Sequence, residues 1–124
     1  MTSDPLDPPQ PLDPQALGRL HELDPDGRQG VVNRVLTAFD TSLARMIVQL
    51  QAESDGGHAD VVAGIAHTLK SSSASVGALA LSKACAEVET RLRSGQTADL
   101  RHDIARLIAL AQAAQRSVAA ILRP

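Results

Sequence analysis

The chain is expected to be all-α: an antiparallel up-down four-helix bundle with a short additional N-terminal helix. Its composition is aliphatic and Ala-rich, and Phe39 is its one aromatic residue. Apolar residues recur at helical spacing through four long stretches separated by short Gly-containing breaks, the pattern of amphipathic helices that bury one face each. No alternating apolar–polar run bounded by turn residues competes as a strand.

Residues 1–13 hold Pro5, Pro8, Pro9 and Pro11, with Pro14 just beyond, and little aliphatic bulk. They read as a linker or disordered arm, because such a segment cannot bury enough apolar surface to offset the entropy of ordering. Residues 14–124 form the folded domain. Asp13-Pro14 supplies an N-cap followed by proline at the first helical position, and opens a short helix near 14–23. A long helix near 28–53 places Val32, Val35, Leu36, Phe39, Leu43, Met46, Ile47 and Leu50 on one face. Asp55-Gly56-Gly57 breaks it, and a third helix runs over 58–75 with Val61, Val62, Ile65, Leu69 and Val76 as its apolar stripe. Gly77 interrupts the chain, and a fourth helix near 78–93 turns Leu81, Cys85, Val88 and Leu92 inward. Ser94-Gly95 ends it. Thr97 is expected to cap the last helix, whose core face is Leu100, Ile104, Leu107, Ala111, Ala114, Val118 and Ile121.

Several function classes are excluded by composition. At 124 residues the chain is one domain, too short to carry an ATP-binding kinase module as well. A net charge of −2 without a basic cluster argues against nucleic acid. The near absence of aromatic residues removes base-stacking platforms and aromatic cages. A single cysteine, Cys85, forms no internal disulfide and suits a reducing cytoplasm; its place on a buried stripe makes it a small core residue. No apolar run approaches the roughly 18 residues of a membrane span, and the histidines lack metal-ligand spacing. No cofactor or metal is expected in the domain.

On the third helix His67 lies opposite the apolar stripe. Its neighbours on that face are Ala63, Gly64, Ser71 and Ala74, all small, with Lys70 one turn along. An imidazole is a neutral nucleophile near pH 7, and a cation at i+3 lies on the same helix face. His102 has a similar setting, among Ala98, Ala105 and Ala109 with Arg106 one turn on, so periodicity alone does not single out His67. His21 and His58 fall near helix ends and read as incidental. Ser72 and Ser73 read as small residues that permit close helix packing and bond back to the preceding turn.

The segment His67-x-Leu69-Lys70-Ser71-Ser72-Ser73, followed by Val76-Gly77-Ala78, Leu81, Cys85 and Val88-Glu89, resembles the histidine-containing phosphotransfer (HPt) domain of bacterial multi-step phosphorelays. That pattern runs His-x-Leu-Lys-Gly-Ser-Ser/Ala, then an aliphatic residue, Gly and a small residue, then Leu, Cys or Ala, and an aliphatic-Glu pair. It departs here at Ser71, where the family usually has glycine. The resemblance implies a phosphocarrier without kinase activity of its own, in which His67 accepts a phosphoryl group from a receiver-domain aspartate and passes it to another. It implies that Lys70 offsets the phosphoryl charge, and that Ser71 either donates a hydrogen bond to the imidazole or phosphate or simply replaces the glycine. The Mg²⁺ of such a reaction belongs to the partner receiver.

Counting back from the Asp55–Gly57 break sets Ala44 and Arg45 level with His67. Thr41, Ala44, Val48 and Ala52 then face away from the core. Thr41, Ala44 and Val48, with Ala63, Gly64 and Ala74, form the expected receiver-docking patch. The expected domain is a cytoplasmic monomer without membrane contact of its own, and its Pro-rich arm suggests tethering through a parent hybrid sensor kinase. Two alternatives stand beside this reading: a degenerate HPt-like interaction module that docks a partner without carrying phosphate, and a kinase dimerisation domain. The latter would need two long helices per chain and an acidic residue after the histidine, where Thr68 stands.

Overall fold

A computed structural model describes residues 12–55 and 57–123. All regular structure among them is helical: α1 (Pro14–Glu22), α2 (Val31–Ala52), α3 (Ala59–Ser75), α4 (Leu79–Arg93) and α5 (Leu100–Leu122). The packing is uneven. α3 lies most extensively against α4, and α2 against α5, with α4 also on α5. Ion pairs fix the sense of α4 and α5. Arg91 pairs with Asp103 and Glu87 with Arg106, so moving back along α4 moves forward along α5, as antiparallel neighbours must.

Each helix end has a local cause. Asp13 accepts from Ala16 N at 3.3 Å and Pro14 opens α1, as expected. α2 starts at Val31 rather than near 28, because residues 24–30 close a capping loop first. The Asp24 carboxylate accepts from Gln29 N at 3.1 Å and Val31 N at 3.2 Å, filling the role that Gly30 at the N-cap has no side chain to fill. Burial pushes the Asp24 carboxyl up, but hydrogen bonds from the Gln29, Val31 and Gly30 backbone outweigh it and leave it below its ordinary value.

α3 ends in a Schellman turn: Ala78 N donates to Ser73 O at 2.8 Å and Gly77 N to Ala74 O at 3.1 Å. Gly77 has φ +82°, and a Cβ there would stand 2.6 Å from Asp13 N. Glycine is required twice over, for the left-handed turn and for the approach of the N-terminal segment, whose Asp13 N–H donates to Gly77 O at 2.9 Å. Leu12 is buried against Ala78, Leu81, Leu110 and Ala114. The expected arm therefore divides: residues 1–11 lie outside the described residues, while Leu12 and Asp13 belong to the packed bundle. Ser94-Gly95 ends α4 with the same turn, as Gln96 N donates to Arg91 O at 2.9 Å.

The core follows the apolar stripes with three corrections. Leu36, Leu43 and Leu50 of α2, Val62 and Leu69 of α3, Leu81 and Val88 of α4, and Ile104, Leu107 and Val118 of α5 are fully buried. Val61, expected inside, is 42 % exposed, whereas Ala63, expected beside His67 on the surface, is buried at 2 %. The contact with α4 sets the buried side of α3, and the small residues Ala63, Ala66 and Ser73 let the two helices approach. Ile121 is 38 % exposed near the C-terminal end of α5. Thr97 does not cap α5; the N-cap position is Asp99, without a side-chain capping bond.

Candidate functional site

His67 projects from the middle of α3 with a side chain 62 % exposed, as the helical pattern requires. It is not alone. Its Nδ1 lies 2.8 Å from Oε2 of Glu89 on α4. The other oxygen of the same carboxylate, Oε1, accepts from Lys70 Nζ at 2.7 Å, and Arg93 Nε donates to Oε2 at 3.0 Å. One carboxylate, its side chain only 10 % exposed, therefore gathers an imidazole and two cations.

The positions follow from helix geometry. His67 and Lys70 are one turn apart on α3, and Glu89 and Arg93 are i,i+4 on α4, where side chains stack on one face. Ser82 Oγ donates to Lys70 O at 2.8 Å and ties α4 to α3 beside the site. On the opposite side of α4, Arg91 and Glu87 bind Asp103 and Arg106 of α5. These bonds fix the rotation of α4, so that Glu89 and Arg93 face α3.

Hydrogen bonds from Lys70 and then Arg93, against the effect of burial and aided by His67, hold the Glu89 carboxyl down to about 2. An ionised carboxylate only accepts hydrogen bonds. Nδ1 of His67 must then carry the proton of the neutral ring, which leaves the lone pair on Nε2.

Cys85, one turn before Glu89, is fully buried as expected. Burial, reinforced by the Glu89 charge and opposed by Lys70, pushes its thiol up to about 12. Ser72 Oγ bonds back to Thr68 O at 3.3 Å, whereas buried Ser73 Oγ has no hydrogen-bond partner.

The other expected site residues are only partly gathered. Ser71 is exposed, and among the described residues no hydrogen bond joins its hydroxyl to His67; its carbonyl accepts from Ser75 Oγ at 3.0 Å. Gly64, Ala74, Thr41 and Ala44 are exposed, and Val48 is 63 % exposed. Ala63 is removed from the patch by its burial. A cleft of about 440 Å³ opens between α2 and α3, lined by Met46, Gln49, Ala52, Glu53, Val61, Gly64, Ile65 and Thr68. Glu89 stood in the sequence as part of the Val88-Glu89 pair, and Arg93 had the i+4 spacing from it, but pairing them with α3 required the register of two helices.

An exposed histidine whose Nδ1 is held by a carboxylate on the neighbouring helix is the feature that distinguishes this α-helical bundle. The Hpt domain model matches residues 34–117, more than half of the chain, and the chain belongs to that family, the histidine phosphotransfer domains of phosphorelay signalling. The fold is also that of the crystal structure of histidine-containing phosphotransfer protein B (HptB) from Pseudomonas aeruginosa PAO1. The likeness has a TM-score of 0.78, covers 90% of this chain and 94% of that chain, and comes with 22% sequence identity. No curated protein sequence matches this chain. No helix among the described residues is long and apolar enough to cross a membrane.

Proposed function

We propose that the domain relays a phosphoryl group between receiver-domain aspartates through a phosphohistidine on Nε2 of His67. The observation that carries this reading is the contact of Nδ1 with Glu89 on a side chain 62 % exposed, which in the neutral ring puts the lone pair on Nε2. The receiver brings the aspartyl phosphate and its Mg²⁺. The Nε2 lone pair forms the N–P bond in line as the bond from phosphorus to the aspartyl oxygen breaks, and the aspartate leaves with that electron pair. The ring becomes an imidazolium whose Nδ1 proton remains against Glu89, so no proton has to leave during transfer. The reverse step onto a second aspartate restores the neutral ring. Such transfer needs positioning and charge compensation more than covalent help, and Lys70 is the cation one turn from the nucleophile.

Receiver docking is assigned to the exposed small-residue faces of α2 and α3: Thr41, Ala44 and Val48 on α2, Gly64 and Ala74 on the helix of His67. Small side chains admit the closest approach of a partner to the imidazole, and a modest apolar patch suits an interface that must release after transfer. Ser71 serves as a small replacement for glycine. The reading places the domain in the cytoplasm, alone or attached to a parent sensor kinase.

The test is transfer of labelled phosphate from a phosphorylated receiver domain to the native chain and to His67→Gln. Label on the native chain that vanishes in the variant supports the assignment; label retained by the variant refutes it.

A further inference from the structure

The two oxygens of Glu89 have different partners. Oε1 accepts from Lys70, while Oε2 accepts from Arg93 and faces Nδ1 of His67. The carboxylate is nearly buried, and an ionised group in that position must keep a cationic partner or lose far more than one hydrogen bond. Lys70 is therefore engaged before any phosphate arrives, and it can turn to a phosphoryl group on Nε2 only if something else holds Glu89.

Arg93 fits that task. As the last residue of α4, it leans back one turn onto Glu89, and a guanidinium near a helix C-terminus is favoured by the helix dipole. It is charged at every relevant pH, and its bond goes to the oxygen that anchors the ring, not to the oxygen that Lys70 would release. Formal charge agrees. Lys70, Arg93 and Glu89 together leave one positive charge; an N-phosphorylated imidazolium adds one positive charge on the ring and about two negative on the phosphoryl group. The loaded cluster is neutral with Arg93 and anionic without it.

We propose that Arg93 is a positioning residue of this site: it retains Glu89, and through Glu89 the ring of His67, while Lys70 exchanges from Glu89 Oε1 to the phosphoryl group. The proposal rests on His67 being the phosphoacceptor. Lys70 is then a movable partner, and its value to the phosphohistidine depends on Arg93. Without Arg93, Lys70 remains on Glu89 and the phosphoryl charge goes uncompensated.

The experiment is a double-mutant cycle with phosphoramidate as the phosphate donor, so that no receiver enters the measurement. Native chain, Lys70→Ala, Arg93→Gln and the double variant are loaded, and the half-life of the phosphohistidine is followed after the donor is removed. Lys70→Ala is expected to shorten the half-life of the native chain about tenfold, the worth of one charge-assisted hydrogen bond. In the Arg93→Gln background the half-life is already short and Lys70→Ala changes it less than about twofold. Arg93→Lys restores both the lifetime and the Lys70 effect, which a purely structural arginine would not require. Additive effects of the two substitutions, or a native half-life in Arg93→Gln, overturn the exchange while leaving His67 as the acceptor. A native chain that takes no label on His67 removes the functional reading itself.

Discussion

His67 and Glu89 lie on different helices, 22 positions apart in sequence, and meet with Nδ1 2.8 Å from Oε2. The contact assigns the tautomer of the ring, and with it the nitrogen that faces a partner. It gives an exposed histidine, common on any protein surface, a fixed orientation.

Replacing His67 by Gln should abolish phosphoryl acceptance while changing stability by less than about 1 kcal/mol, since the side chain is largely exposed and its bond to Glu89 lies at the rim of the bundle. His102→Gln is the control and should accept label like the native chain. Labelling that depends on His102 instead would reassign the acceptor.

The depressed Glu89 carboxyl makes stability depend on pH with a definite sign. Its folded value of about 2 lies below the ordinary 4.5, so the ionised group contributes stability above pH 4.5 and that contribution is lost as pH falls toward 2. Denaturation midpoints of native chain and Glu89→Gln should differ most at neutral pH and converge through this window. Parallel curves would show that Glu89 is not held in its ionised form by the cluster.

Gly77→Ala should destabilise the fold by about 2 kcal/mol or more, through a left-handed backbone angle and a Cβ driven onto Asp13 N. Thermal unfolding measures it. Gly64→Ala lies inside α3 and meets nothing within 4 Å, so it should raise stability by about 0.5–1 kcal/mol, and the pair separates a structural glycine from one that merely keeps the surface low.

Arg91→Ala should cost on the order of 3 kcal/mol, because it strips the partner from Asp103, a carboxylate 1 % exposed with its other oxygen already unpaired. Phosphoryl transfer should fall as well if the α4–α5 ion pairs set the facing of Glu89. Unfolding by denaturant and transfer rate, taken together, check both effects.

Val48→Asp should weaken receiver binding and slow transfer from the receiver without altering loading by phosphoramidate, since Val48 is 63 % exposed and apart from the Glu89 cluster. A receiver titration that shifts the NMR signals around His67 but leaves Thr41, Ala44 and Val48 unmoved would place the docking surface elsewhere.

Helix identity was legible along the chain because it is local: periodic apolar residues, Asp13-Pro14 at one start, Gly77 and Gly95 at two ends. His67 and Lys70 could be named for the same reason, being one turn apart on a single helix and carried by a recognisable motif. What depends on the register between helices was not legible. Val61 and Ala63 exchanged places because the apolar stripe ranks residues by size, whereas burial on α3 is decided by which side α4 presses. Asp24 capping α2 from seven residues away and Leu12 seated against α4 and α5 depend on chain reversals that no periodicity reports. The same limit applies at the site. The sequence by itself determined which residue could be the nucleophile; the packing of α3 against α4, held by the ion pairs of α4 with α5, decided that Glu89 orients it and that Arg93 and Lys70 share the charge. Side-chain chemistry is carried in each residue, but a hydrogen bond between helices exists only where the packing of their faces brings donor and acceptor within 3 Å.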